Sequence, residues 1–385
     1  MVYSIFTDLG YPSSKPVGKL RAFLLGLRQG LTAEYMVVIA DLIVDGTSHG
    51  PHPFVCKMRV GGELIPGIQV GDMGVKTIAN DLDNAWLRFT RVWMPKESLL
   101  AKYADIIDNK YVQVGKEKMR IEVIGQRLLT GRLVIAQACI FSIQDVFKKA
   151  KAYTSEKQCH VPGSELPLCE LPQVKHLFRE ADAELQHMEQ YLTQVQQRLA
   201  VHLSAGTIPP DSLVSPRLAV HLSAGTIPPD SLVSPRLAVH LSAGTIPPDS
   251  LVESIAVAKV KAIEVATNMS FRLSQEVGSY ALMGSTGFEH QAMLLCCKFA
   301  EGDSRILLQK MARDRLKDFQ NQSWFSMLAD MFDADSRREL LLCASLGRAL
   351  TSGPAVEVWN EQYEKVYGLA EMVCERHLKM HQSKL

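Results

Sequence analysis

The stretch KMRIEVIGQRLLTGRLVIAQACIFSIQDVFKKAKAY, which runs from Lys118 to Tyr153, decides the fold class. It is far longer than a strand, and apolar residues cover most of the circumference that a helix would have. A helix of this kind is typical of the interior of a bundle. Further helices are predicted at 171–199, 253–283, 335–352 and 353–380. The sequence therefore predicts a helical bundle over most of the chain.

Residues 35–114 have a different pattern. Short apolar segments rich in β-branched and aromatic residues alternate with turn signals such as DGTSHGPH, GGE and GDMG. We expect a compact antiparallel β domain, followed by a short helix that Pro95 opens within PKESLLAKYADI. The predicted fold class is α+β and mostly α, with the small β domain placed before the helical bundle.

These patterns divide the chain into four parts. We expect a divergent leader at 1–32, a β domain at 33–115, a helical domain at 116–320 and a short C-terminal helical domain at 321–385.

A tandem repeat interrupts the helical region. RLAVHLSAGTIPPDSLVSP occupies 198–216, recurs unchanged at 217–235 and starts again at 236–252. One interpretation is a binding array of histidines at a period of 19 residues (His202, His221 and His240). The favoured one is a duplication within a helix–helix connection, because longer loops cost little free energy. Since each copy carries Pro-Pro, we expect 198–252 to be poorly ordered or looped out.

Net charge, cysteine spacing and the length of the apolar runs argue against several classes of protein. The formal net charge of +1 lacks the basic excess expected of a nucleic-acid-binding protein. None of the eight cysteines has CxxC spacing, and the adjacent Cys296 and Cys297 lie in an apolar run, which favours reduced thiols. The longest apolar run, YMVVIADLIV, is too short to span a bilayer. No secretory signal is visible at the first residues.

A Glu301-Gly302-Asp303 triplet separates an apolar patch from a helical run. A carboxylate in such a place is costly unless it is paired, solvated or used. In one interpretation the triplet only starts a helix, with Asp303 as an N-cap that accepts from the amide of Arg305 or Ile306. In the other, a carboxylate of the triplet takes part in chemistry.

Several segments together resemble the peroxisomal acyl-CoA oxidases. The β region matches the middle domain of that family in order and spacing through Pro66-Gly67-Ile68, Gly71-Asp72-Met73-Gly74, Leu82-Asp83-Asn84 and Met94-Pro95-Lys96-Glu97. Downstream, YALMGSTGF is similar to the glycine turn of the family, and FAEGDSRILLQKMARD is similar to its Glu-Gly segment. The chain ends in Ser383-Lys384-Leu385, a peroxisomal address, which also fits.

The resemblance implies a FAD-dependent acyl-CoA oxidase that converts a fatty acyl-CoA to the trans-2-enoyl-CoA and reduces O2 to hydrogen peroxide. Glu301 would be the general base, and desolvation by the apolar LLCCKFA segment would keep its carboxylate basic. The implied cofactor-binding residues are Gln158, Gly284, Gly287, Gly302 and Asp303. The implied partners are a second subunit, in a homodimer or in a heterodimer with a full-length relative, and the peroxisomal import receptor.

Three departures from the family pattern favour an alternative. Only about thirty residues precede the matching region, and FTDLGYPSS echoes the flavin-facing Thr-Glu-Leu-Gly-His-Gly segment of the family only faintly. Glu156 stands where the family has an arginine two residues before Gln158, and an anion there would weaken diphosphate binding. The C-terminal helical part is also short. The alternative is a non-catalytic oxidase-like chain that acts as a dimerisation or interaction partner.

Overall fold

The computed structural model describes residues 2–6, 30–78, 80, 84–101, 104–113, 126–204 and 247–382. The chain divides into two compact units, Met1–Gln126 and Arg127–Leu385. The first consists of antiparallel strands and the second is mostly helical, which confirms the predicted α+β, mostly α class.

The first unit contains nine strands among its described residues. They are β1 (Val2–Phe6), β2 (Tyr35–Val44), β3 (Thr47–Lys57), β4 (Arg59–Val60), β5 (Glu63–Leu64), β6 (Ile68–Asp72), β7 (Ala85–Pro95), β8 (Ala104–Ile107) and β9 (Lys110–Gln113). A three-stranded sheet has the order β1-β7-β6, while β2–β3, β4–β5 and β8–β9 form antiparallel pairs.

The core of this unit follows the alternation of its strands. In β7, Leu87 and Phe89 point inward between exposed neighbours, as the period of two requires. The alternation shifts by one residue at Arg91, whose φ of 51° marks a bulge opposite β1. Val38 and Phe54, from the β2–β3 hairpin, belong to the same apolar cluster.

Val2–Phe6, from the segment predicted to be a divergent leader, pairs with β7. One prediction about this unit is wrong. Pro95 does not open a helix beyond the single 3-10 turn Lys96–Ser98, and the chain then continues into β8. The reason is tertiary: the Leu100 amide donates to the Pro53 carbonyl, and Leu99 and Ile106 are buried in the β core instead of lying on one face of a helix.

The second unit contains nine α-helices and one hairpin among its described residues. They are α1 (Gln126–Glu156), β10 (Gln158–Val161), β11 (Ser164–Pro167), α2 (Pro172–Ser204), α3 (Asp249–Val277), α4 (Gln291–Cys297), α5 (Ser304–Asn321), α6 (Trp324–Asp330), α7 (Ala334–Leu350), α8 (Ala355–Glu361) and α9 (Tyr363–Gln382). Among these, no helix has both the length and the apolar character that a bilayer span requires.

One apolar core runs through the whole helical unit. Ile140 of α1, Ile263 of α3 and Val373 of α9 are all fully buried in it. The C-terminal part at 321–385 is therefore not a separate domain, contrary to the sequence prediction. Its last helix supplies buried side chains to the same core, so the residues around 321 do not form a boundary.

The repeat region begins and ends in helices. Its first residues complete α2 and its last residues begin α3, where Leu199 and Leu251 are buried in the core. The prediction that all of 198–252 loops out is wrong at both ends, because the apolar residues there pack against the bundle. Residues 205–246 lie outside the described part of the chain.

Candidate functional site

The segment that links α3 to α5 runs antiparallel along one face of α1. Arg132, Cys139 and Val146 lie seven residues apart on α1, so they share a face and are spaced by about 10 Å. Arg132 bonds Glu301, and Val146 packs against Gly287. These two contacts fix the register of the segment and place its two turns at different heights on α1.

The turn that carries Glu301, which we call the Glu301 turn (residues 298–304), is held by side chains from outside it. Glu301 has a φ of 53°, a conformation that is uncommon for residues with a side chain. Arg132 Nε donates to the Glu301 carbonyl at 2.9 Å. The carboxylate packs on Gly131, where an added Cβ would lie 2.6 Å from Glu301 Cδ. Helix α1 therefore both bonds this residue and leaves room for its side chain.

Lys259 of α3 supports the same turn from a second direction. Its side chain is fully buried, and Nζ donates to the carbonyls of Lys298 and Gly302 at 2.8 Å each and to Ser304 Oγ at 3.0 Å. Burial, together with the charge of Arg132, lowers the pKa of this ammonium to about 8. A buried cation that is costly to desolvate thus satisfies the carbonyls on both sides of Glu301.

Asp303 is the N-cap of α5. Its Oδ1 accepts from the Arg305 amide at 2.7 Å, as the capping interpretation predicts. Capping accounts for Asp303 but not for Glu301, because an N-cap does not require a left-handed conformation two residues before it. The two interpretations therefore apply to different residues of the triplet.

The Glu301 carboxylate and Gly302 lie beside Gly131 and Arg132 of α1. No donor among the described residues bonds the Glu301 carboxylate, which is half-buried. Burial lowers the pKa of the neighbouring Arg132 guanidinium, and the charge of Glu301 opposes that shift. Gly302 has a φ of 104°, and an added Cβ would lie 3.1 Å from the Arg132 guanidinium. The predicted apolar wall is only partial, because Phe299 is 67% exposed.

The glycine turn (residues 283–289) is held by its own residues. Gly287 has a φ of 93°, and an added Cβ would lie 2.7 Å from Val146 Cγ2, so a side chain there would clash with α1. The Glu289 carboxylate accepts from the amides of Ser285 at 3.0 Å and Gly287 at 2.8 Å. The backbone amide of Glu289 itself, and then those of Gly287 and Ser285, lower the pKa of the Glu289 carboxyl. The turn thus has an internal acceptor where a bound anion would otherwise lie. Gly284 has open space around it.

The predicted residues are not gathered into one cluster. Gly287 is about 21 Å from the Glu301 turn along α1, given the rise of a helix and the 14 residues between their contacts. Gln158 is exposed on β10, after the end of α1 and still farther from Glu301. Glu301, Gly302 and Asp303 do lie together. Ser383, Lys384 and Leu385 are outside the described residues.

Sequence reasoning missed Gly131, Arg132 and Lys259. Lys259 had a visible signal, since it is a lysine within the Ala/Val stripe SIAVAKVKAIEVA of a buried helix. Gly131 and Arg132 gave no such signal, because a single Gly-Arg pair inside a long helical pattern does not by itself indicate a site. Arg132, for example, bonds a residue that lies 169 positions away in the chain.

Parts of the chain are similar in sequence to acyl-coenzyme A oxidases. The chain is 33% identical over 150 residues to peroxisomal acyl-coenzyme A oxidase 3 of Homo sapiens, a match that covers 37% of this chain and 21% of the human protein. It is 37% identical over 89 residues to peroxisomal acyl-coenzyme A oxidase 2 of Mus musculus, covering 22% of this chain and 13% of the mouse protein. No family model matches the chain.

The fold is also similar to solved oxidases. The crystal structure of acyl-CoA oxidase 1 from Yarrowia lipolytica aligns with a TM-score of 0.67 at 17% identity, covering 91% of this chain and 53% of the yeast chain. Acyl-CoA oxidase-1 of Caenorhabditis elegans, solved in complex with FAD and ATP, aligns with a TM-score of 0.61 at 15% identity, covering 91% and 52%. The chain is related to the acyl-CoA oxidases.

This oxidase-related chain spans about half the length of the solved oxidases that it resembles. The sequence matches cover parts of acyl-coenzyme A oxidases, and the structural matches show the fold, so the function of this chain has to be argued from its own residues.

Proposed function

We propose that the chain is a FAD-dependent acyl-CoA oxidase of fatty acid β-oxidation, with Glu301 as the general base. Glu301 carries this proposal. It is kept in a costly left-handed conformation by Arg132 and Gly131 of α1, with Lys259 of α3 holding the carbonyls on either side. Such strain persists only where the surroundings over-determine it, and it is concentrated at functional sites. No described donor occupies the carboxylate, which leaves it available to a substrate.

The chemistry follows from the position of this carboxylate. Glu301 would take the proton from the carbon next to the thioester carbonyl as the double bond of the enoyl-CoA forms. FAD, when bound, would supply the acceptor for the hydride that leaves the next carbon, and O2 would take up the two electrons as hydrogen peroxide. Gly302, which has no side chain, would let the thioester approach the backbone beside the base.

The residues around the glycine turn suit the aromatic ring of FAD better than its diphosphate. Leu282 and Met283 are 87% and 63% exposed, and they offer an apolar surface to an aromatic ring. The amides of Ser285 and Gly287 suit a phosphate less well, because the Glu289 carboxylate already accepts from both. We propose that Gly284 and Gly287 contact the cofactor and that Gln158 reaches the diphosphate from a second subunit.

The remaining assignments are also proposals. The family relatives named peroxisomal support a peroxisomal location, and Ser383-Lys384-Leu385 would be read by the import receptor. A homodimer, or a heterodimer with a full-length relative, would supply flavin contacts from a second subunit.

The test is flavin content and peroxide release by the purified full-length chain. We expect yellow protein, directly or after incubation with FAD, and acyl-CoA-dependent peroxide that is lost in Glu301→Gln while the colour is kept. Colourless protein that cannot be reconstituted with FAD would overturn the proposal. Acyl-CoAs of different chain lengths in the same assay would define the substrate preference.

A second candidate function is a non-catalytic partner of a full-length oxidase. Glu289 favours it, because a carboxylate inside the glycine turn opposes diphosphate binding. Colourless protein that forms a stable complex with a full-length oxidase in size-exclusion chromatography would support this candidate over the first.

A further inference from the structure

A cavity of about 430 Å3 lies between α5, the end of α7 and α8. Its apolar floor is formed by Leu316, Leu350 and Trp359, which belong to or pack against the core of the helical unit. Val356 also lines the cavity and is 75% exposed, so it marks the edge that faces solvent. Pockets of this size that are mostly apolar, with a few polar groups, are typical of small-molecule sites. The floor can therefore hold the apolar body of a ligand.

The charged groups that line this cavity are both positive. Arg313 and Lys317 lie four residues apart on α5, so the two cations are neighbours and repel each other. None of the described residues that line the cavity is acidic. Within the part of the chain that the structure describes, Lys317 forms no ion pair, and Arg313 has only a contact of 3.9 Å with Asp314, which already pairs with Lys310. Both cations are thus available to an anion that enters the cavity.

We propose that this cavity binds an amphipathic carboxylate, with its apolar body on Trp359 and its carboxylate between Arg313 and Lys317. The guanidinium can donate to both carboxylate oxygens, and the ammonium can donate to one of them. The bound anion would also offset the repulsion between the two cations. The lining residues of α5, from Gln309 to Gln320, span about 16 Å, which is long enough for an extended alkyl chain of medium length.

This proposal does not depend on the proposed oxidase function. Arg313 lies nine residues after Ser304, so about 13 Å of α5 separates the charged side of the cavity from the Glu301 turn. Binding can therefore be measured without FAD and without an acyl-CoA. Glu301→Gln serves to distinguish a carboxylate in this cavity from one in the proposed substrate site.

The experiment is isothermal titration calorimetry of the purified full-length chain with sodium decanoate below its micelle concentration. We expect saturable binding by the wild type and by Glu301→Gln. Arg313→Gln/Lys317→Gln should weaken binding by at least about tenfold, because both charged donors are lost. Arg337→Gln/Arg338→Gln is the matched control, since it removes the same charge from exposed residues of α7 that do not line the cavity, and it should bind like the wild type.

A second variant adds a charge without removing a buried group. Val356→Asp places an anion at the exposed edge of the cavity and should weaken decanoate binding severalfold, whereas Val201→Asp, at a residue of α2 that is 70% exposed, should not. Two other probes test the head group. Decanol lacks the charge and should bind at least about tenfold more weakly than decanoate, and decyl phosphate should not bind more tightly than decanoate.

Four results would overturn the site: no binding of decanoate, equal affinity for decanoate and decanol, unchanged affinity in Arg313→Gln/Lys317→Gln, or loss of binding in Glu301→Gln. Tighter binding of decyl phosphate would overturn the choice of a carboxylate. Oxidase activity measured on the same preparations separates the two proposals. An active enzyme that does not bind decanoate refutes this site alone, and decanoate binding by a chain without FAD or turnover refutes the oxidase alone.

Discussion

The Glu301 turn and the glycine turn lie on the same face of α1, and both contain a residue other than glycine with positive φ. These are Glu301 at 53° and Ser285 at 66°. They differ in what holds them. The glycine turn receives its bonds from Glu289, within the same seven residues. The Glu301 turn receives them from Arg132 and Lys259, which belong to two other helices.

This difference separates a locally stable turn from one that the whole bundle positions. A turn that satisfies its own amides keeps its shape wherever it is placed. A turn bonded to two helices has its carboxylate fixed relative to them, at the cost of burying the Lys259 cation. Positioning of this kind is what a general base requires, since proton transfer depends on geometry before pKa.

The largest expected effect comes from removing the long-range support. Lys259→Met removes the side-chain donor from the carbonyls of Lys298 and Gly302, of which the first keeps, among the described residues, only the Ser304 amide, so we expect the free energy of unfolding to fall by about 2–4 kcal/mol. Denaturant unfolding measures this loss. Lys149→Met is the control: Lys149 forms an exposed pair with Asp145 on α1, and its removal should cost less than about 1 kcal/mol. Equal losses would mean that the turn does not depend on Lys259.

The same variant predicts a pH dependence. The pKa of Lys259 is lowered to about 8 in the folded chain, against 10.5 for an ordinary lysine. Between these values the unfolded chain binds more protons, so the contribution of Lys259 makes the free energy of unfolding rise with pH. The difference between wild type and Lys259→Met should therefore grow in favour of the wild type across this window. A difference that stays constant with pH would contradict the buried ammonium.

A smaller effect is expected at the helix cap. Asp303→Ala removes the bond to the Arg305 amide and should lower the free energy of unfolding by about 1 kcal/mol, with turnover largely kept. Asp333→Ala removes the corresponding cap of α7, which accepts from the Ser336 amide at 2.8 Å, and controls for capping away from the site. Loss of turnover in Asp303→Ala alone would move the chemistry from Glu301 to Asp303.

The smallest effect is expected at the glycine turn. Glu289→Ala frees the amides of Ser285 and Gly287 and removes a negative charge, so FAD should bind more tightly, by up to about tenfold. Flavin fluorescence titration measures the dissociation constant, and Glu357→Ala, an exposed glutamate of α8, serves as the control. Weaker FAD binding in Glu289→Ala would mean that the turn needs its internal acceptor in order to bind the cofactor.

Local patterns predicted much of the fold. The strand β7, the apolar circumference of α1 and the cap at Asp303 all depend on nearby residues, and each was predicted from the sequence. The hairpin β10–β11 was missed, although Pro162-Gly163 between its strands is a turn signal and Gly163 has a φ of 84°. The helix expected after Pro95 failed because tertiary bonds to β3 overrode the local preference.

The candidate site was predicted only in part, for a related reason. Glu301 was identified through its resemblance to a family motif, whereas Gly131, Arg132 and Lys259 act through contacts between distant parts of the chain. Sequence spacing carries no information about such contacts until the register of the helices is known. The separation of the glycine turn from Glu301 along α1 is likewise a consequence of that register.

Exchange of the substrate α-proton tests the central claim most directly, because it reports on the base itself and not on later oxidation. The purified chain, supplied with FAD, is incubated with a saturated acyl-CoA in deuterium oxide, and deuterium at the carbon next to the thioester is measured by mass spectrometry. We expect incorporation with the wild type and with Asp303→Ala, and a loss of at least about 10²-fold with Glu301→Gln. Incorporation by Glu301→Gln at the wild-type rate would contradict the assignment of Glu301 as the base.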